Sequence, residues 1–172
     1  MNKLQMKLCG DLVLREKCAP VEDITPEVLA QLAEMMDMVE EQKGVGLAAP
    51  QVGIPLRFFV MKEVKNHRDP GIPHKMINPK IVSKSEKTCI IEEGCLSVLG
   101  PDDLPIYADV ERSEAVTVKW TDEHGRGQER EFSGFPARII QHEIDHLDGI
   151  LFIDYLSPVK REMVMRKIRK RK

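Results

Sequence analysis

Apolar positions recur every three or four residues through TPEVLAQLAEMMDMVEEQKG, where Val28, Leu29, Leu32, Met35, Met36 and Val39 fall on one helical face. Thr25 is a natural N-cap, Pro26 fits the first helical position, and Gly44 offers a stop. The methionines in this stripe read as core filling. Beyond a glycine-rich turn, LRFFVM has the continuous apolar run of a buried strand, and NHRDPGIPHK reads as a loop. MINPKIVSKS and KTCIIEEGCLS follow as strands, and VTVKWTDEHGRGQEREFS alternates around Gly125 and Gly127 as a hairpin does. The helical period returns in GFPARIIQHEIDHLDG, with Ser133 as its cap, Pro136 in its first turn and Gly149 at its end. Strands gathered before a late helix predict an α+β fold, not alternating βαβ units.

Composition fills in the class. The chain has 172 residues, 42% hydrophobic and 31% charged, which suits one globular domain with a real core. No apolar run approaches the roughly 20 residues that span a bilayer, so no membrane association is expected. MNKLQMKLCGDLVLREKC lacks the apolar centre of a secretion signal, so the cytoplasm is expected, with an organelle of bacterial origin as the alternative. Cys9, Cys18, Cys89 and Cys95 form no C-x-x-C pair and are read as thiols. The net charge of −2 conceals a divide: from Ser157 onward eight Lys/Arg and one Glu give +7, leaving −9 elsewhere. We therefore expect a catalytic domain over 1–157 and a basic, helical tail over 158–172, which reads either as a solvated, fraying terminal helix or as a site for a polyanionic partner.

The late helix carries the chemistry. In QHEIDHLDGILF, His142 and His146 stand one turn apart with Glu143 beside the first, a pattern that can place two imidazoles on one metal ion. Phe135, Ile139, Ile140, Ile144 and Leu147 make this helix largely apolar, so its polar groups need partners. A catalytic site normally has three protein ligands and one open position. In one large class of zinc proteases the motif runs on to a further histidine; Gly149 keeps that register, but Phe152 stands where the ligand should be. The only downstream glutamate is Glu162, inside the basic tail, so the third ligand has to come from upstream. Candidates are Cys9, Cys18, Cys89, Cys95, His67, His74, His124 and the carboxylates; Cys95, after a strand and a glycine in EEGCLS, has the most favourable context.

Three segments together, GVGLAAPQ (44–51), EGCLS (93–97) and QHEIDH (141–146), resemble the peptide deformylase family, with MINPKIV and LFIDYLSP extending the similarity. The resemblance implies removal of the formyl group from the N-terminal formyl-methionine of nascent polypeptides. It also implies an α+β fold with the motif helix packed among antiparallel β-sheets, between an N-terminal helix and a C-terminal basic helix. Residue by residue it makes Cys95, His142 and His146 the metal ligands and Glu143 the general acid/base. Gln51 and the backbone N–H of Leu96 become the pair that stabilises the oxyanion. The implied metal is Fe2+ in the cell, with Zn2+, Ni2+ or Co2+ in the isolated protein; a thiolate and two imidazoles suit any of them.

Gly44 and Gly46 leave backbone open for a peptide to pair with Val45 and Gly46 as an added strand. Phe135 and Ile139, with His142, are expected to line a methionine pocket closed by Val45 and Ile91. Arg138, one turn before His142, stands where an apolar residue would be expected, at the pocket mouth or paired with a carboxylate. Leu99 replaces a proline common in the family, and the loop over 99–109 is longer than usual. The tail suggests docking on ribosomal RNA. Two rivals share these features, a zinc endopeptidase of the H-E-x-x-H type and a non-catalytic metal- or ribosome-binding module.

Overall fold

The computed structural model describes residues 3–64 and 69–171, so His67 lies outside the described residues. Helix α1 (Pro26–Glu41) begins as its sequence dictates: Thr25 Oγ1 accepts the Val28 N–H at 3.3 Å, and Val28, Leu32, Met35, Met38 and Val39 are buried. Its end differs from expectation. Lys43, not Gly44, takes the left-handed conformation (φ 53°), while the Gly44 N–H returns to the Val39 carbonyl at 2.8 Å. The lysine side chain is exposed, so the strain there is the modest one of a non-glycine helix terminus.

Strands β1 (Gly46–Ala48), β2 (Phe58–Glu63), β3 (Ile72–Lys84), β6 (Ala115–Thr121) and β7 (Gly127–Ser133) form one antiparallel sheet in the order β1-β2-β3-β6-β7. Among the described residues strands β4 (Thr88–Leu99) and β5 (Pro105–Ser113) pair only with each other, as a separate hairpin. The predicted loop 66–75 is shorter than expected, because Ile72 to Lys75 join β3 and pair with Val60 to Glu63 of β2. The expected long loop over 99–109 is likewise mostly strand. Residues 100–104 make a turn closed by a Gly100 N–H to Leu104 carbonyl bond of 2.8 Å, and Leu99 pairs with Pro105 across it.

The run in LRFFVM is apolar throughout because β2 is covered on both faces. Phe58 and Val60 pack with α1, whereas Phe59 and Met61 face helix α2 (Phe135–Leu147), together with Met76, Val118, Trp120 and Phe132. Ser133 does not cap α2. It is the last residue of β7, paired with Ala115, and Gly134 at φ 65° makes the corner with no side-chain cap. Gly149 ends the helix as expected, at φ 74°. Helix α3 (Pro158–Arg169) is capped by Ser157 Oγ and buries Val164 against a third cluster that includes Cys95, Val98, Ile106, Val110 and Phe152. No helix among the described residues is long and apolar enough to cross a membrane.

Candidate active site

Helix α2 packs against β1, β2, β5 and β7, and its turn brings Glu143 to Gly46 of β1 and His142 and His146 to Glu93 and Cys95 of β4. Strand β4 supplies Cys95, buried to 4% exposure. One donor atom from each of Cys95, His142 and His146 lies within 4.8 Å of the others, and among the described residues no other such group of three occurs. Cys95 Sγ is 3.3 Å from His146 Nε2. His142 turns Nδ1 to Glu93 Oε2 at 3.0 Å, which leaves Nε2 for the site. The other upstream candidates are occupied elsewhere. His74 binds Glu63 at 2.8 Å, His124 belongs to the β6–β7 turn, and Cys89 lies 3.4 Å from Arg138 Nη2. Burial pushes the Cys18 thiol up to about 11 and raises that of Cys9, which keeps both protonated.

The donor set fits a cation. Burial pulls both imidazoles towards neutrality; for His142 the bonds to Cys95 and Glu93 outweigh it and raise its pKa well above normal, whereas His146 falls well below. Among the described residues His146 Nδ1 and Glu143 Oε2 are buried without a hydrogen-bond partner, and Glu143, only 4% exposed, is pushed up to about 7 by burial. A divalent ion among these groups would satisfy a constellation that is electrostatically unfavourable by itself. Phe152, which interrupts the protease register, instead stacks on the His142 ring, with centroids 6.2 Å apart and planes at 23°.

Gln51, in the short 3-10 turn after β1, is 2% exposed and held through both amide atoms. Its Oε1 accepts the Ala48 N–H at 2.8 Å; its Nε2 points to Ser97 Oγ at 3.1 Å and Cys95 Sγ at 3.4 Å. The pairing of β4 with β5 shifts register between Gly94 and Leu99, so Leu96 sits where the ladder is broken. Gly46 is required by close approach. A Cβ there would collide with Glu143 Oε1 and lie 3.0 Å from Ile139 Cγ2. Gly94, beside Cys95, is covered by the Tyr107 ring, which fills the space a Cβ would need.

Val45, Phe135 and Ile139 belong to one cluster. Ile91 does not join it and remains 42% exposed on β4. Gly44 approaches Leu96, whose Cδ1 would be 3.3 Å from an added Cβ, so the segment before β1 and the end of β4 converge.

Sequence reasoning overlooked Glu93. Its carboxylate receives Arg112 Nε at 2.6 Å, Arg112 Nη2 at 2.9 Å and Arg138 Nη1 at 2.6 Å, in addition to His142. Burial alone would raise its pKa, but the bonds from His142 and Arg112 prevail and hold it at about 2. Such a carboxylate fixes the tautomer and orientation of a ligating imidazole. The signal was present, since Glu93 is two residues before Cys95 in a strand and must share its face. Arg112 continues to Asp145 at 2.7 Å and lies 4.9 Å over the Tyr155 ring.

A helix carrying H-E-x-x-H, completed by a strand thiol and a buried glutamate, defines the class as an α+β metallohydrolase. The sequence profile described as polypeptide deformylase matches residues 4–162, and the chain belongs to that family. A peptide deformylase from Pseudothermotoga lettingae is 44% identical over 163 residues, covering 95% of this chain and 88% of the relative. One from Afipia carboxidovorans is 46% identical over 160 residues, covering 93% and 90%. Among solved structures, the Legionella pneumophila peptide deformylase superposes with a TM-score of 0.86 at 40% identity, covering 97% of this chain and 94% of that one. The class I type b enzyme of Acinetobacter baumannii, solved with Met-Ala-Ser bound, gives 0.80 at 41% identity, covering 89% and 98%. The chain is thus a metal-dependent hydrolase that removes the N-formyl group from nascent polypeptides, and the endopeptidase and non-catalytic readings are not favoured.

Proposed function

We propose that Cys95 Sγ, His142 Nε2 and His146 Nε2 hold one divalent cation, Fe2+ in the cell and Zn2+, Ni2+ or Co2+ on isolation in air. The convergence of these three donors beside the unpartnered Glu143 carboxylate carries this reading. When bound, such an ion supplies Lewis acidity, making a water acidic enough to attack near neutral pH. Glu143 takes the proton of that water and later delivers it to the departing amine. Negative charge gathers on the formyl oxygen, where the Gln51 amide and the Leu96 N–H stabilise it; losing one donor of this kind typically lowers the rate about 10²–10³-fold. Gln51 is preorganised for this, because its Oε1 bond to Ala48 fixes which way Nε2 faces.

The substrate is an N-formylmethionyl peptide. Among the described residues strand β1 pairs on one side only, and the carbonyl of Val45, just before it, is already taken by the Lys62 N–H at 2.8 Å. The Ala48 N–H, pointing the other way, goes to Gln51, so Gly46 presents its backbone to the open edge for a peptide strand. The methionine side chain then lies among Val45, Phe135 and Ile139, with Ile91 as the opposite wall and Gly44 at the rim; the open Ile91 supports this placement. In the test, anaerobically purified protein receives formyl-Met-Ala-Ser, and formate and bound metal are measured together. Stoichiometric iron with formate release is expected. Metal-replete protein that yields no formate, or that cuts unformylated peptides internally, overturns the reading.

Residues 1–157 form the catalytic unit and 158–172 an electrostatic anchor for ribosomal RNA, placing the enzyme in the cytoplasm or an organelle of bacterial origin. In α3 and at its C-cap, Glu162 engages Arg166 and Arg169, and Arg161 reaches Asp154, while Lys160, Lys167 and Lys170 enter no ion pair among the described residues. Because Val164 packs on the body, charge removal is a cleaner test than truncation. The triple variant Lys160→Gln, Lys167→Gln, Lys170→Gln should bind ribosomes more weakly at low salt and with a shallower dependence on salt, by up to about 0.9 in slope per lost phosphate contact. Identical binding curves for variant and wild type would remove the anchor role.

A further inference from the structure

The β4–β5 hairpin shares no strand pairing with the five-stranded sheet, yet the proposed catalytic cleft lies between them. Its position against α2 therefore depends on side chains, and Arg138 makes more of those contacts than any other residue of the helix. The guanidinium is 3% exposed. Nη1 donates to Glu93 Oε1 at 2.6 Å, to the Val110 carbonyl at 3.0 Å and, more weakly, to the Ile91 carbonyl at 3.5 Å. Nη2 donates to the Cys89 carbonyl at 2.8 Å. Val110 is the cross-strand partner of Ile91, so these carbonyls surround the backbone that carries the exposed Ile91 side chain.

We infer that Arg138 is a positioning residue that sets the width of the methionine pocket, tying the Ile91 wall on β4 to the Phe135–Ile139 wall on α2. Phe135 and Ile139 flank it in sequence on the same helix, so one side chain links the two walls directly. The arrangement is charge-balanced. Glu93 and Asp145 bear two negative charges, Arg112 and Arg138 two positive ones, so Arg138 is not an isolated buried cation. Arginine is needed for its shape. A planar fork addresses the Glu93 carboxylate and two backbone carbonyls on different strands at once, whereas a lysine ammonium at this depth reaches Glu93 without spanning the hairpin.

The inference rests on the pocket assignment proposed above, and the experiment separates the two. Arg138→Lys keeps a cation for Glu93 and loses the clamp. In that variant we expect full metal occupancy, kcat within about threefold of wild type, and KM for formyl-Met-Ala-Ser raised about tenfold. Its preference, in kcat/KM, for formyl-Met-Ala-Ser over formyl-Ala-Ala-Ser should fall about tenfold, the scale on which a hydrophobic pocket discriminates. Unchanged preference overturns the inference, even if the melting temperature drops, since that is a structural role alone. Equal losses in metal, kcat and preference also overturn it, because the whole site has then been disturbed. If Arg138→Lys does not fold, Arg138→Gln is read by the same three measurements. A wild-type enzyme that releases formate but shows no preference for methionine refutes the pocket assignment itself.

Discussion

Replacing Glu143 with glutamine should leave the metal in place and lower kcat for formate release by about 10³–10⁴-fold, the upper part of the range for general acid–base catalysis. Glutamine has the same shape and keeps the approach to Gly46, where the wild-type carboxylate fits so closely that even a methyl group would collide with Oε1. What is lost is the ability to take up a proton. Formate release and metal content, measured on the same preparation, check the result; a variant with full metal and near-normal kcat would exclude Glu143 as the base. The pH profile is a second readout. Burial raises this carboxyl to about 7, so its ionised form is lost as pH falls through that region, and a bound cation shifts the limb lower. The acid limb of wild-type kcat/KM should be missing from the residual activity of the variant. Stability follows with the opposite benefit. A carboxyl whose folded pKa lies above its unfolded value stabilises the fold fully only below the unfolded value, and that contribution disappears as pH rises through about 7. Metal-free Glu143→Gln should therefore melt at a higher temperature than metal-free wild type at pH 8.

The parts of this structure legible in its sequence are those in which local pattern and tertiary role agree. Helix α1 showed itself by its apolar stripe and Thr25 cap, and α2 by its apolar face and by His142, Glu143 and His146 at helical spacing. The three motifs pointed to Cys95, His142 and His146, which the fold brings together, because each segment keeps its chemistry within a few residues. Features decided by distant packing were not legible. Ser133 has a capping side chain, but its backbone belongs to the ladder with Ala115, a commitment made 18 residues away in the chain. Residues 99–109 look like a loop by composition, yet Pro105 to Asp109 are held in β5 by pairing with β4, and the Tyr107 ring fills the space over Gly94. Arg138 looked anomalous because its partners, Glu93 and three backbone carbonyls, lie 28 to 49 positions away. The separation of β4–β5 from the main sheet leaves no mark on either strand, and this separation makes Arg138 mechanically important.

Cys95→Ala should abolish both metal retention and formate release, a larger effect than any other single substitution among the ligands. The thiolate is the only anionic donor of the three, and two neutral imidazoles without it fall short of the three protein ligands a catalytic site usually has. The surroundings are built around that sulfur: the Gln51 amide and the Ser97 N–H each approach Sγ at 3.4 Å, and His146 Nε2 lies 3.3 Å away. Alanine leaves Gln51 Nε2 with Ser97 as its remaining partner and removes the sulfur beside His146 Nε2, whose imidazole is already driven well below its normal pKa. Metal content after gel filtration should fall to background, and adding back Fe2+ or Zn2+ should restore less than about 1% of wild-type turnover, consistent with a loss well beyond the 10–100-fold attributed to second-sphere changes. The contrast with Glu143→Gln is the sharper test of the pair. If Cys95→Ala keeps one metal per chain, His142 and His146 are recruiting a different third ligand, and the site must be redrawn around it. Loss of metal in Cys95→Ala with retention in Glu143→Gln separates the residues that hold the ion from the one that uses it.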